Sequence, residues 1–320
     1  MTKKGNRSAT RVRRPATGRT GARPRAGPER ARSSRPNRRP AAPRQGKSIR
    51  RLPWIAVGAV VAVVGVMLVV FATRTPSTPN PRTGSAAAIA KVTSVPASTL
   101  AEIGVPPGVR RPPPLPEGIP PIAAGGKPMV LYIGAEYCPY CAAERWPMVV
   151  ALSRFGTFTN LSTTTSAPQP EVFPDTATLS FYGSSYTSEY LALSTAETQT
   201  NQPAPGGGYT HLQDLTPRQR QLFTTYDTDQ YVGSQGGIPF IMIGNRFAWA
   251  GASYDPALLQ GMSFDQIANQ LADPQSEIAQ AIDGTANQIT AMVCLVTGNQ
   301  PAQVCSAPSI RQEQARLIGG

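Results

Sequence analysis

Between Pro128 and Met148 an apolar and aromatic run, Met129 to Ile133, leads after a short turn into Cys138-Pro139-Tyr140-Cys141 and then into an apolar stretch with helical spacing. This succession of buried strand, dithiol and helix restricts the fold more than any other part of the chain. Cys138 stands where an N-cap would, so the unsatisfied amides of the first helical turn and the positive end of the helix dipole should face its sulfur. Pro139 at the first helical position has no amide hydrogen to lose. Only a thiolate attacks a disulfide, and a free cysteine with a pKa of about 8.5 is mostly protonated at neutral pH, so this placement would activate the sulfur. Cys141 falls one turn on, within reach to resolve a mixed disulfide. The expectation is a redox pair, Cys138 and Cys141, that closes reversibly into an active-site disulfide. Half a zinc site and a purely structural disulfide are the plainer alternatives. A zinc site needs two more ligands, and the one histidine, His211, offers no ligand spacing with Cys294 and Cys305. No metal and no organic cofactor is expected.

Charge divides the chain sharply. Residues 1–51 hold 18 Lys or Arg against one acid, Glu29, a net +17, whereas the whole chain carries +13 and residues 52–320 therefore −4. A basic protein of this kind would ordinarily suggest a nucleic-acid partner. Here the charge sits in a block rich in Pro, Gly, Ser and Ala that lacks the apolar surface to offset the entropy of ordering. It reads as a disordered tail, with binding to nucleic acid or anionic lipid as weaker alternatives to a topogenic role.

Leu52 to Thr73 is a run of 22 residues without a charge. At 1.5 Å per residue it would reach roughly 33 Å, enough to cross a bilayer core of about 30 Å. Lys47, Arg50 and Arg51 press against its N-terminal side and only Arg74 follows closely, so the tail is expected in the cytoplasm and the remainder outside. A cleaved signal peptide fits less well, because the basic region before it is too long and no small-x-small site follows. Residues 74–126, dense in Pro, Thr, Ser and Ala, read as a semi-rigid spacer in which Ala97 to Gly104 could form a helical turn or two.

All four cysteines follow the apolar run, in a compartment where disulfides persist. The helix begun at Cys138 is expected to run to Leu152, with Trp146, Val149 and Leu152 towards a sheet. Phe155–Leu161, Thr178–Tyr182 and Tyr190–Leu193 are candidate strands, the last two flanking a Gly-Ser-Ser turn, and Asn201–Gly208 is a surface loop. Leu215–Tyr226 reads as a helix capped by Thr216. Gly236 to Gly251 reads as a β-hairpin around Gly244-Asn245, with Pro239 heading its first strand. Pro256–Gln260 and Phe264–Ala272 are short helices. Ile278, Ile282, Thr285, Ile289, Val293 and Val296 then recur at helical spacing up to Gly298. Ten residues separate Cys294 from Cys305 across a Gly-Asn-Gln-Pro turn, so a structural disulfide is expected there, contributing roughly 3 kcal/mol in the chain-entropy account. His211 reads as a surface histidine.

A Cys-x-x-Cys at a strand-to-helix junction, followed much later by Gly237-Ile238-Pro239 entering a hairpin and then a final helix, resembles the thioredoxin-like superfamily over about Lys127 to Leu271, with an insertion between the halves. The tetrapeptide Cys-Pro-Tyr-Cys is similar to that of glutaredoxins. Tail, anchor, spacer and core together resemble a family of membrane-anchored thioredoxin-like proteins of high-GC Gram-positive bacteria. The resemblance implies that Cys138 attacks, that Cys141 resolves, and that Ile238 and a cis Pro239 form the loop facing the substrate. Two departures stand out: Tyr132 occupies the place of a buried acid, and Pro147 lies nine residues after the first cysteine instead of eight. Glu136 and Glu144 read as solvated.

The expected organisation is an α/β chain with a mixed central sheet: a basic cytoplasmic tail (1–51), one transmembrane helix (52–73), a spacer (74–126), an extracytoplasmic thioredoxin-like domain with an extra C-terminal helix (127–310) and a short tail (311–320). The expected function is thiol-disulfide exchange on exported proteins, with an unidentified redox partner. Oxidant, isomerase and reductant share this constellation. The competing expectation is a non-catalytic envelope binding module stapled by its disulfides.

Overall fold

The computed structural model describes residues 84–319. The basic tail and the apolar run of 52–73 lie outside the described residues, and among the described residues no helix is long and apolar enough to cross a membrane. In chain order the helices are α1 (Ala86–Thr93), α2 (Ala97–Ile103), α3 (Pro139–Leu152), α4 (Pro217–Tyr226), α5 (Asp229–Val232), α6 (Phe264–Gln270), α7 (Glu277–Val296), α8 (Ala302–Cys305) and α9 (Pro308–Ile318). The strands are β1 (Ala123–Ala124), β2 (Lys127–Gly134), β3 (Gly156–Thr159), β4 (Ser162–Thr165), β5 (Ala177–Ser180), β6 (Ser185–Ser188), β7 (Ala192–Glu197), β8 (Gln199–Pro203), β9 (Tyr209–His211), β10 (Phe240–Ile243) and β11 (Phe247–Ala250).

The α/β expectation with a mixed sheet holds. β2 is central: β7 runs parallel to it on one side, β10 antiparallel on the other, β11 returns from β10, and β1 pairs with the first residues of β2. Side chains alternate across a strand, so a sheet buried on both faces needs apolar residues at nearly every position. Met-Val-Leu-Tyr-Ile and Phe-Ile-Met-Ile supply them. Val130, Tyr132, Ile241, Ile243, Phe247 and Trp249 face a core that includes Trp146 and Val149 of α3 and Ile282 and Ile289 of α7. Leu131, Ile133, Phe240 and Met242 face a smaller core closed by Leu222 of α4, Val232 of α5 and Ile122. The insertion between α3 and β7 folds as two short ladders, β3 with β6 and β4 with β5, outside the central sheet. Thr178–Tyr182 therefore pairs backwards with β4, not with the strand that follows it. The stretch at Tyr190–Leu193 enters β7, whose Ser194, Thr195 and Glu197 hide it from a search for apolar runs.

Two sequence expectations require correction. From residue 84 onwards the segment read as a spacer is packed into the domain. Val92, Leu100, Val109 and Ile122 are buried, Asn287 donates to the carbonyls of Leu100 and Gly104, and Arg111 pairs with Glu313 of α9 at 2.7 Å. Proline density lowers the cost of ordering such a chain, and a few apolar residues then suffice to hold it. The tail expected at 311–320 is likewise mostly helix: α9 buries Ile310 and Leu317. Cys294 and Cys305 form a disulfide with Cα atoms 5.5 Å apart, linking the last turn of α7 to α8.

Candidate functional site

β2 ends at Gly134, and a short turn carries the chain to Cys138, the N-cap of α3. The Cys138 sulfur accepts the Cys141 amide at 3.2 Å. As a thiol, it donates to the Ile238 carbonyl at 3.7 Å, from the residue before the cis Ile238–Pro239 bond. The tertiary fold thus brings together Cys138, Cys141, Ile238 and Pro239. Both sulfurs are free thiols, so the disulfide expected between them is open here. A reversible couple has this reduced state as one of its two forms.

The two sulfurs are unequal. Cys138 is 5% exposed and Cys141 fully buried. Donation from the Cys141 thiol holds the Cys138 pKa below its ordinary value despite burial, helped by the Cys141 amide and by the positive charge of Arg145. Burial pushes Cys141 well above the usual thiol range, and its bond to Cys138 adds to the shift. One sulfur is prepared to ionise and the other to keep its proton.

Beneath them lies a buried ion pair. Arg145 on α3 donates through Nε and Nη2 to both carboxylate oxygens of Glu197, at the end of β7, at 2.8 and 2.7 Å. Its Nη2 also reaches the Ala135 carbonyl at 2.7 Å. Neither side chain is exposed. The Arg145 guanidinium lies 5.9 Å from the Tyr132 ring centre, and the buried Tyr132 hydroxyl has no partner. Two aromatic contacts flank the dithiol: Tyr137 stacks on Tyr209 of β9 at 4.2 Å, and Tyr140, 40% exposed, meets Phe173 of the insertion edge-on at 6.0 Å.

Of the two glutamates expected in solvent, Glu136 is half-buried and accepts from the Ser180 hydroxyl at 2.6 Å. Glu144 is fully buried, accepting from the amide and hydroxyl of Ser253 at 2.7 and 2.9 Å, and burial pushes its pKa up to about 7. Inspection of the sequence also missed Arg145 and Glu197. One signal was available: a charged pair, Glu144-Arg145, inside an otherwise apolar helix has to find buried partners. His211 stays on the surface, 3.5 Å from Asp214. Among the described residues no group of three His, Cys, Asp or Glu side chains is placed to hold a metal.

A family model described as a domain of unknown function, DUF929, matches residues 120–295, more than half of the chain. The chain belongs to the DUF929 family. The match covers the dithiol, the Ile238–Pro239 loop and Cys294, and stops before Cys305. No curated protein and no solved structure matches this DUF929 chain.

Proposed function

We propose that this DUF929 protein is a thiol-disulfide oxidoreductase with a thioredoxin-like fold, anchored by residues 52–73 and working outside the cytoplasmic membrane on exported proteins. The observation that carries the proposal is the Cys138 sulfur, seated at the mouth of α3, taking the Cys141 amide and standing 3.7 Å from the carbonyl that precedes cis Pro239. The strand order β7-β2-β10-β11, with the dithiol leaving β2 and the proline entering β10, supports the fold reading.

In the reductive direction the Cys138 thiolate attacks one sulfur of a substrate disulfide. An S–S bond forms between enzyme and substrate, and the substrate's own S–S bond breaks to release a thiolate. Cys141 then gives up its proton and attacks Cys138, closing the enzyme disulfide as the second substrate sulfur leaves with the electron pair and takes a proton. The substrate gains two electrons and the pair loses two; oxidation of a substrate dithiol is the same sequence reversed. Once Cys138 is ionised it no longer donates to the Ile238 carbonyl, whose edge then suits pairing with an extended substrate backbone next to its cysteine.

Cys138→Ser should reduce exchange with a dithiol probe to the uncatalysed rate, and retained turnover refutes the proposal. Titrating the Cys138/Cys141 potential against the poise of the compartment assigns the direction. The burial of both sulfurs favours one competing reading, a binding module in which the pair is an inert staple. Slow alkylation of reduced Cys138 and a strongly reducing disulfide would identify it.

A further inference from the structure

The sulfurs and Arg145 occupy positions i, i+3 and i+7 of one helix, which places them on one face. Side chains on a helix lean towards its N-terminus, so a long side chain at i+7 extends back under the residues one and two turns before it. Arg145 does so, and its Nη2 ends on the carbonyl of Ala135, three residues ahead of Cys138. We propose that the buried Arg145–Glu197 pair is a positioning device for the dithiol. Arg145 fixes the turn that carries Cys138 and supplies a positive field along the face the sulfurs share, and Glu197 limits that field. The inference rests on the exchange reading above and names the residues that tune it.

Three features support this role over a purely structural one. Taking two charges fully out of water is costly, and well-packed apolar residues of the same volume commonly stabilise a core at least as well, so stability alone gives no reason for charge at this place. Glu197 engages only Nε and Nη2, and the buried Nη1 has no hydrogen-bond partner. The guanidinium is thus held by its carboxylate without being saturated by it. Finally, the pair joins α3, the helix of the dithiol, to β7, the strand beside the one that leads into it: Glu197 lies opposite Gly134 in the parallel ladder, and Arg145 grips the turn between that glycine and Cys138. The ionisable groups facing the pair are Tyr132 from β2, Glu136 from the turn, and the two cysteines from α3.

The test is the pH dependence of iodoacetamide alkylation at Cys138 in the full-length reduced protein, read on the Cys138 peptide by mass spectrometry. Arg145→Met should raise the midpoint and slow alkylation severalfold at pH 6. Glu197→Gln should lower it, because the guanidinium is then less neutralised. The double variant Arg145→Met/Glu197→Leu should fall between wild type and Arg145→Met. Circular dichroism and an intact Cys294–Cys305 bond report folding. Midpoints that move the same way in both folded single variants, or do not move, overturn the positioning role while leaving the exchange reading in place. If the singles fail to fold, an unchanged midpoint in the folded double variant overturns it equally, and a raised one supports it. A wild-type midpoint already in the ordinary thiol range overturns both the exchange reading and this role.

Discussion

The chain holds two cysteine pairs on the same domain, and they are built for opposite ends. Cys138 and Cys141 are free thiols three residues apart at the start of a helix, with a carbonyl and a cis proline from a distant loop beside them. Cys294 and Cys305 are bonded to one another, buried, eleven residues apart, and join the end of one helix to another. A sulfur at a helix mouth meets unsatisfied amides that stabilise its anion, whereas a sulfur near a helix end meets carbonyls that do not. On the proposed reading the same residue is therefore reactive in one place and a crosslink in the other, with backbone direction as the deciding factor.

Removing each pair in turn separates the two roles most directly. Cys138→Ser should abolish exchange, whereas Cys294→Ser/Cys305→Ser should leave the specific activity of the folded fraction unchanged; any loss of activity that is not explained by unfolding removes the distinction. Cys141→Ser should accumulate a mixed disulfide with substrate at nearly one per chain, visible on non-reducing gels, because the attacking sulfur stays and the resolving one is gone. Opening the Cys294–Cys305 loop should cost about 3 kcal/mol in denaturant unfolding, since the bond limits the freedom of the unfolded chain. Equal loss on opening Cys138–Cys141 would make that pair a staple too.

A separate effect, outside both cysteine pairs, concerns pH. Burial holds Asp283 of α7 protonated up to about 8 and Glu144 up to about 7, and both should titrate near 4 in the unfolded chain. The folded state then binds more protons than the unfolded state between those limits, so stability is full below about pH 4 as far as these groups go, and falls as pH rises to about 8. Thermal melts at pH 5 and pH 8 should show a lower Tm at pH 8, and Asp283→Asn should flatten the difference. Asp283 has no hydrogen-bond partner on either oxygen, whereas Glu144 has Ser253, so Asp283 should contribute more of the slope.

Local segments carried much of the fold openly. The helix from Cys138, the Thr216-capped helix, the β10–β11 hairpin and the long α7 each declare themselves through periodicity and caps within a few residues. β7 did not, because an edge strand half-buried along most of its length tolerates Ser194 and Thr195, and Glu197 at its buried end is held by Arg145 from another element. The proline-rich segment misled for a related reason: composition averages over the whole of 74–126 and misses the few residues, such as Leu100 and Ile122, that enter the core.

Adjacent residues suffice to make Cys138 cap a helix, to put Cys141 one turn on and to set a strand before them, since nearest-neighbour sterics and side-chain period are local. The surroundings of the sulfurs come from packing at a distance. The Ile238 carbonyl comes from 100 residues away and the Glu197 partner of Arg145 from 52. Which charged group is buried, and against which partner, depends on how whole layers pack, because a charge leaves water only where the rest of the fold has already placed its counterpart.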